Sequence, residues 1–118
     1  MTTQEVANNM VFLWKQGKGA EVQETMYSVE AKSIEPNANM FQVEMVGLAA
    51  LKTKMTHFQQ SIEEFHGMTI SDPIVAGNFF ALTWIVDATF KGRGRTTFEE
   101  VCVCEVKEDK IILEQFFY

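Results

Sequence analysis

The closing stretch Glu99-Glu100-Val101-Cys102-Val103-Cys104-Glu105-Val106-Lys107-Glu108-Asp109-Lys110-Ile111-Ile112-Leu113-Glu114-Gln115-Phe116-Phe117-Tyr118 reads as two strands folded back on each other. Runs rich in β-branched and aromatic residues flank the turn signal Lys107-Glu108-Asp109. Working backwards, Arg95 to Val106, Phe79 to Lys91 and Phe65 to Val75 carry the same character, parted by Gly92-Arg93-Gly94 and Ala76-Gly77-Asn78. Each interruption suits a three-residue hairpin loop whose last residue, Asn78, Gly94 or Asp109, takes a left-handed conformation. Three hairpins in succession predict an antiparallel meander.

Loop length fixes register, and register decides which side chains share a face. Three-residue loops set Phe80 opposite Ile74, Phe90 opposite Thr96 and Val106 opposite Lys110. Three rows then run across one face: Ile70, Trp84, Cys102 and Glu114; Met68, Val86, Glu100 and Phe116; His66, Ala88, Phe98 and Tyr118. This face is large and apolar, so helices should cover it. The opposite face carries Thr83, Ile85, Val101, Val103, Ile111, Leu113, Gln115 and Phe117.

The first half supplies the helices. Val6, Met10 and Leu13 repeat at helical spacing between Thr3 and Gly17, with Thr2 or Thr3 as cap. A short helix, about Ala20 to Tyr27, presents Val22 and Met26, and a break is expected at Pro36-Asn37-Ala38-Asn39. Leu48, Leu51, Met55, Phe58 and Ile62 make a third stripe from Gly47, with His57 opposite it in solvent. Helices against one face of a sheet give an α+β fold, and 118 residues make one domain, 1–118.

Composition narrows the function. Sixteen acids against ten bases give a net charge of −6, which argues against nucleic acid as partner. No apolar run approaches the roughly 20 residues of a membrane span, and the first residues lack a secretory pattern, so a cytoplasmic location is expected. Cys102 and Cys104 are too close for a relaxed disulfide and have no further metal ligands beside them, so they read as small core residues and no metal or cofactor is expected.

The inward face also holds Glu100, Glu114 and His66, which an ordinary core would not choose. Glu100 and Glu114 fall as diagonal neighbours in this register, close enough to raise the pKa of one or both. Apolar walls with a few convergent ionisable groups are the expected form of a small-molecule site.

The closing hairpin, with Gly47-Leu48-Ala49-Ala50-Leu51 and Val75-Ala76-Gly77-Asn78-Phe79-Phe80, resembles SnoaL-like proteins of the nuclear transport factor 2-like superfamily over the whole chain. The resemblance implies a cystatin-like curved antiparallel sheet wrapped around three N-terminal helices, a cone with an internal cavity. Met26-Tyr27 followed by Glu35-Pro36 is similar to the ketosteroid isomerase segment ending in its proton-abstracting carboxylate, which implies that role for Glu35. The isomerase's oxyanion donors do not carry over: Met10 or Val11 and Cys102 stand in their places, so steroid isomerisation is not expected. Against limonene epoxide hydrolase, the position of the water-activating aspartate holds Phe116, and Asp87 matches a second aspartate only with a gap.

Two function classes follow. In one, Glu35 or Glu114, with Glu100 and His66 as further candidates, performs general acid–base chemistry on a small apolar molecule. The walls would be Met68, Ile70, Trp84, Val86, Cys102, Phe116 and Tyr118, and the ligand a neutral ring compound. In the other, the protein is a non-catalytic binder or a dimeric adaptor. Glu35 also suits an exposed loop, Glu100 a rim ion pair and His66 a structural hydrogen bond. The apolar outer face, with no helix left to cover it, predicts a homodimer, and the resemblance implies one too.

Overall fold

The computed structural model describes residues 1–38 and 41–118. Helix α1 (Thr3–Lys15) is capped by Thr2, whose Oγ1 accepts from Glu5 N–H while the Glu5 carboxylate accepts from Thr2 N–H. Helix α2 (Gly19–Met26) follows after Gly17, which holds φ +73°. Its first residue is glycine for a steric reason: a Cβ there would lie 2.4 Å from the Trp14 ring. Strand β1 (Tyr27–Ile34), strand β2 (Glu44–Val46) and helix α3 (Leu48–Ser61) complete the first half. The chain bends at Pro36 and Asn37 as the sequence predicts, although Asn39 lies outside the described residues.

The second half is the meander: β3 (Ile62–Ile70), β4 (Ile74–Ala76), β5 (Phe79–Phe90), β6 (Gly94–Lys107) and β7 (Lys110–Phe117). Among the described residues these five strands and β1 and β2 build a seven-stranded sheet in the order β2-β1-β7-β6-β5-β3, with β4 paired to β5. The α+β expectation holds. One edge differs: β1 runs parallel to β7, which makes the sheet mixed, and the sequence reading had not assigned β1 as a strand.

Turn positions and lengths revise the rows. Phe90 lies opposite Gly94, so Trp84 faces Glu100, Leu82 faces Cys102 and Phe80 faces Cys104. The shift is two residues, and therefore no side chain changes face. The β6–β7 turn has two central residues, Glu108 and Asp109, both at positive φ (52° and 66°), the geometry of a type I′ hairpin. A two-residue turn alone would exchange the faces of β7. A bulge, in which Val106 faces Ile111 but Glu105 faces Leu113, restores Glu114 and Phe116 to the inner face. Ile111, expected outside, is thereby carried into the core with no exposed surface.

On the other side, Ile70 opposite Trp84 and Met68 opposite Val86 stand as expected. Beyond them a second bulge separates the Phe65–Ala88 pair from Gly67–Asp87. His66 is the extra residue there, and the expectation that it faces inward is overturned. Its Nε2 lies 2.7 Å from Thr89 Oγ1, on the face opposite the buried Ala88.

The core has two parts. The larger joins α1, α2 and the deep end of the sheet, including Val6, Met10, Leu51, Phe80, Cys102, Cys104 and Ile111. Trp14 and Trp84 meet edge-to-face there at 4.8 Å. The smaller part sets Val86, Ala88 and Phe90 against Phe58, Met68 and Phe98.

Candidate functional site

Register places the first pair of the site: in the parallel β1–β7 ladder, Ser33 is the partner of Glu114. Ser33 Oγ donates to Glu114 Oε2 at 2.7 Å, and the Tyr27 hydroxyl donates to Glu114 Oε1. Lys54, from α3, donates to Ser33 Oγ at 2.6 Å and to Glu35 Oε2 at 2.7 Å, and its ammonium stands 3.9 Å from Glu114. The Tyr118 hydroxyl donates to Glu35 Oε1 at 2.6 Å. One chain of hydrogen bonds therefore runs from buried Tyr27 through Glu114, Ser33, Lys54 and Glu35 to half-exposed Tyr118.

The direction of these bonds matters. Ser33 has one proton, given to Glu114, so its lone pair is what receives Lys54. Glu35, Lys54 and Glu114 are 6%, 8% and 8% exposed. Charges so deeply placed persist only when paired and hydrogen-bonded, which this chain accomplishes. The Lys54 ammonium also lies 4.6 Å from the centre of the Phe116 ring and 5.3 Å from that of Phe41.

Glu100 stands apart. It sits two residues from Cys102 on β6, half-buried, in the row of Trp84. Burial pushes its carboxyl up to about 7, the Glu35 charge adds to this, Lys54 opposes it, and Glu114 contributes least. The expected diagonal contact between Glu100 and Glu114 is thus corrected. Glu114 pairs in register with Cys104, four residues along β6 from Glu100, about 13 Å at the usual rise. Deeper in, burial raises the Tyr27 phenol well above its ordinary value, with the Glu114 charge adding to it. The Cys102 thiol is raised by its contact with Cys104, the two sulfurs being 3.7 Å apart, and by burial.

Of the residues nominated from sequence, the structure brings Glu35, Glu114, Phe116 and Tyr118 into one hydrogen-bonded or packed group with Lys54, and Glu100 within its electrostatic reach. Trp84, Ile70 and Cys102 belong to the larger core, against which Phe116 packs; Val86 belongs to the smaller core, and Met68 packs against both. His66 is turned away, and Asp87 binds Arg95 through both oxygens on the outer face. Lys54, Tyr27 and Ser33 were not foreseen. Lys54 had a signal: it follows Leu51 by three and precedes Phe58 by four, inside the apolar stripe. Among the described residues no group of three or more His, Cys, Asp or Glu is placed to hold a metal ion, and no helix is long and apolar enough to cross a membrane.

The profile of the family described as SnoaL-like domain matches residues 1–118. A candidate SnoaL-like polyketide cyclase from Mesorhizobium loti is 34% identical, with full coverage of both chains and a TM-score of 0.93. A protein of unknown function with a cystatin-like fold from Xanthomonas campestris is 17% identical over 99% of this chain and 90% of its own, with a TM-score of 0.84. A ketosteroid isomerase-like fold from Catenulispora acidiphila, in complex with trimethylamine, is 18% identical over 99% and 87%, with a TM-score of 0.73. No curated protein matches the sequence.

Proposed function

This chain belongs to the SnoaL-like domain family, and from its site we propose general acid–base chemistry on a small molecule with an apolar ring. The observation that carries this reading is Glu100. It is a half-buried carboxyl raised to about 7 by burial, with the Glu35 charge adding and Lys54 opposing, and it lies opposite buried Trp84. A group near neutrality can both take and give a proton, which is what a general acid–base needs. Glu35, which accepts from Lys54 and Tyr118, and Glu114, which accepts from Tyr27 and Ser33, stay candidates for that chemistry alongside Glu100, their engaged oxygens supporting a positioning role.

A non-catalytic binder is the second reading. It is favoured by that same engagement of Glu35, the residue aligned with the family's base. The outer sheet face supports a homodimer: Val101 and Phe117 are 40% and 47% exposed, and Ile85, Val103 and Leu113 are half-buried around them. The net charge of −6 supports a partner other than nucleic acid, and the sequence reading of a cytoplasmic location stands with these proposals.

The test has two stages. Ring-bearing compounds should raise the melting temperature and shift the NMR signals of Phe116 and Met68. Glu100→Gln should then abolish turnover of any compound converted while leaving its binding intact. Binding unaccompanied by any turnover would select the second reading, and the absence of binding would reject both.

A further inference from the structure

The carboxylate oxygens of Glu35 and Glu114 are not held alike. Both oxygens of Glu114 accept from buried donors, Tyr27 and Ser33, and Glu35 Oε2 accepts from buried Lys54. Glu35 Oε1 accepts from the Tyr118 hydroxyl at 2.6 Å, and Tyr118 is 53% exposed. Tyr118 also lies beyond β7, past the last ladder pair of that strand with β6, Val101 and Phe117. Turning its ring into solvent opens no core and breaks no strand pair of this hairpin. It does uncover Oε1 on a carboxylate that is itself buried, and an acceptor so placed demands a new donor.

What already surrounds Glu35 sets the chemistry of that donor. The Lys54 ammonium stands 2.7 Å from Oε2 and balances the Glu35 charge. A second cation at Oε1 would share one carboxylate with Lys54 and be repelled by it, and an anion would meet the carboxylate itself. A ketone or an ether has no proton to give. The group that does occupy the position is a neutral O–H on an aromatic ring. We propose that Tyr118 is a specificity-determining residue that fills the ligand's place, and that the molecule taken is a ring bearing a hydroxyl, which replaces that of Tyr118 on Glu35 Oε1. This rests on the ligand-site reading above and adds a donor group to the neutral ring compound expected from sequence.

An exchange of this kind lowers affinity in a defined way. Only molecules from which Tyr118 has turned away bind the ligand, so the apparent affinity falls by that fraction. Deleting the Tyr118 hydroxyl removes this handicap and leaves Glu35 Oε1 short of a donor. A hydrogen bond to a buried charge is strong enough to change affinity about tenfold.

The experiment is calorimetric titration of the full chain at pH 7 with 4-ethylphenol, with its methyl ether 4-ethylanisole and with 4-ethylbenzylamine. The ring signals of the two tyrosines are followed by NMR alongside it. The phenol should bind about tenfold tighter than the ether or the amine. At saturation the Tyr118 ring signals should move to those of an exposed tyrosine, while those of buried Tyr27 stay in place. Tyr118→Phe should tighten phenol binding about tenfold and leave the ether unchanged. Equal binding of phenol and ether, tighter binding of the amine, or an unmoved Tyr118 ring would overturn the assignment while the ligand site stands. Phenol binding that Tyr118→Phe weakens or leaves alone would do the same. The wild-type comparisons decide the matter even where the variant fails to fold. Binding of none of the three compounds in either protein would overturn the ligand site and this assignment together.

Discussion

Without the Lys54 ammonium, Glu35 and Glu114 would be two carboxylates at 6% and 8% exposure with hydroxyl partners alone. Breaking a buried pair by removing one partner typically costs about 3–5 kcal/mol. Lys54→Met should lower stability by that order in urea unfolding at pH 7, and less at pH 4, where carboxyls begin to neutralise. It should also push Glu100 above its value of about 7, because the attraction that opposes burial is gone. Glu100 itself gives a separate pH effect. Its folded pKa exceeds that of the unfolded chain, so the folded state loses stability as pH rises from about 4.5 toward 7 and no further beyond. Glu100→Gln should therefore raise the melting temperature at pH 8 and leave it unchanged at pH 4. Glu100 and Glu114 were legible in sequence because a carboxylate at an inward strand position breaks an apolar pattern, and Glu35 through the ketosteroid isomerase resemblance alone. Lys54 was not, since a long side chain on a helix ordinarily snorkels to water. Ser33 and Tyr27 stayed hidden because their strand pairs with a partner some 80 residues away, which no local pattern reports.

Turns and bulges set the site at the scale of elements. Each face assignment on β5, β6 and most of β7 was readable, yet no hairpin kept the register expected: the β5–β6 loop has its three residues but one position earlier, and the loops before β5 and β7 have two. The shift between β5 and β6 is even and preserves faces, and the odd turn before β7 is cancelled by its bulge. A bulge leaves no signature in hydrophobic alternation until the register around it is known, and this is why Ile111 and His66 were placed on the wrong sides. Two substitutions test these local accounts. Glu108 holds φ 52° without being glycine, a conformation costing about 1 kcal/mol or more. Glu108→Gly should stabilise the β6–β7 hairpin by that order, visible as slower amide exchange at Lys107 and Lys110. At Gly19 the opposite holds: Gly19→Ala drives a methyl to 2.4 Å from the Trp14 ring. The cost should be about 1–3 kcal/mol, with a change in Trp14 fluorescence as the ring is displaced.

For the molecule as a whole, the outer sheet face carries the proposed association. Val103 lies near its middle, opposite Gln115 on β7 and Ala81 on β5. Val103→Asp should shift sedimentation at micromolar concentration from a dimer to a 13.5 kDa monomer, because each subunit would place a carboxylate in an apolar contact. A wild type already monomeric would reject the interface.

The parallel joint between β1 and β7 has a temporal consequence. Hairpins β5–β6 and β6–β7 close over a few residues and form early, within microseconds to tens of microseconds for such elements. The Ser33–Glu114 contact spans 81 positions and must await loop closure of most of the chain. Ser33→Ala should consequently speed unfolding while leaving the folding rate nearly untouched, whereas substitutions within the β5–β6 hairpin should slow folding. The assembled hydrogen-bonded site is then the last property the chain acquires. A nascent or partly opened molecule, with its meander already paired, has Glu100 and Glu114 on β6 and β7 while Ser33 on β1, Glu35 just after it and Lys54 on α3 are still apart from them. Only the final docking of β1 brings them into each other's company.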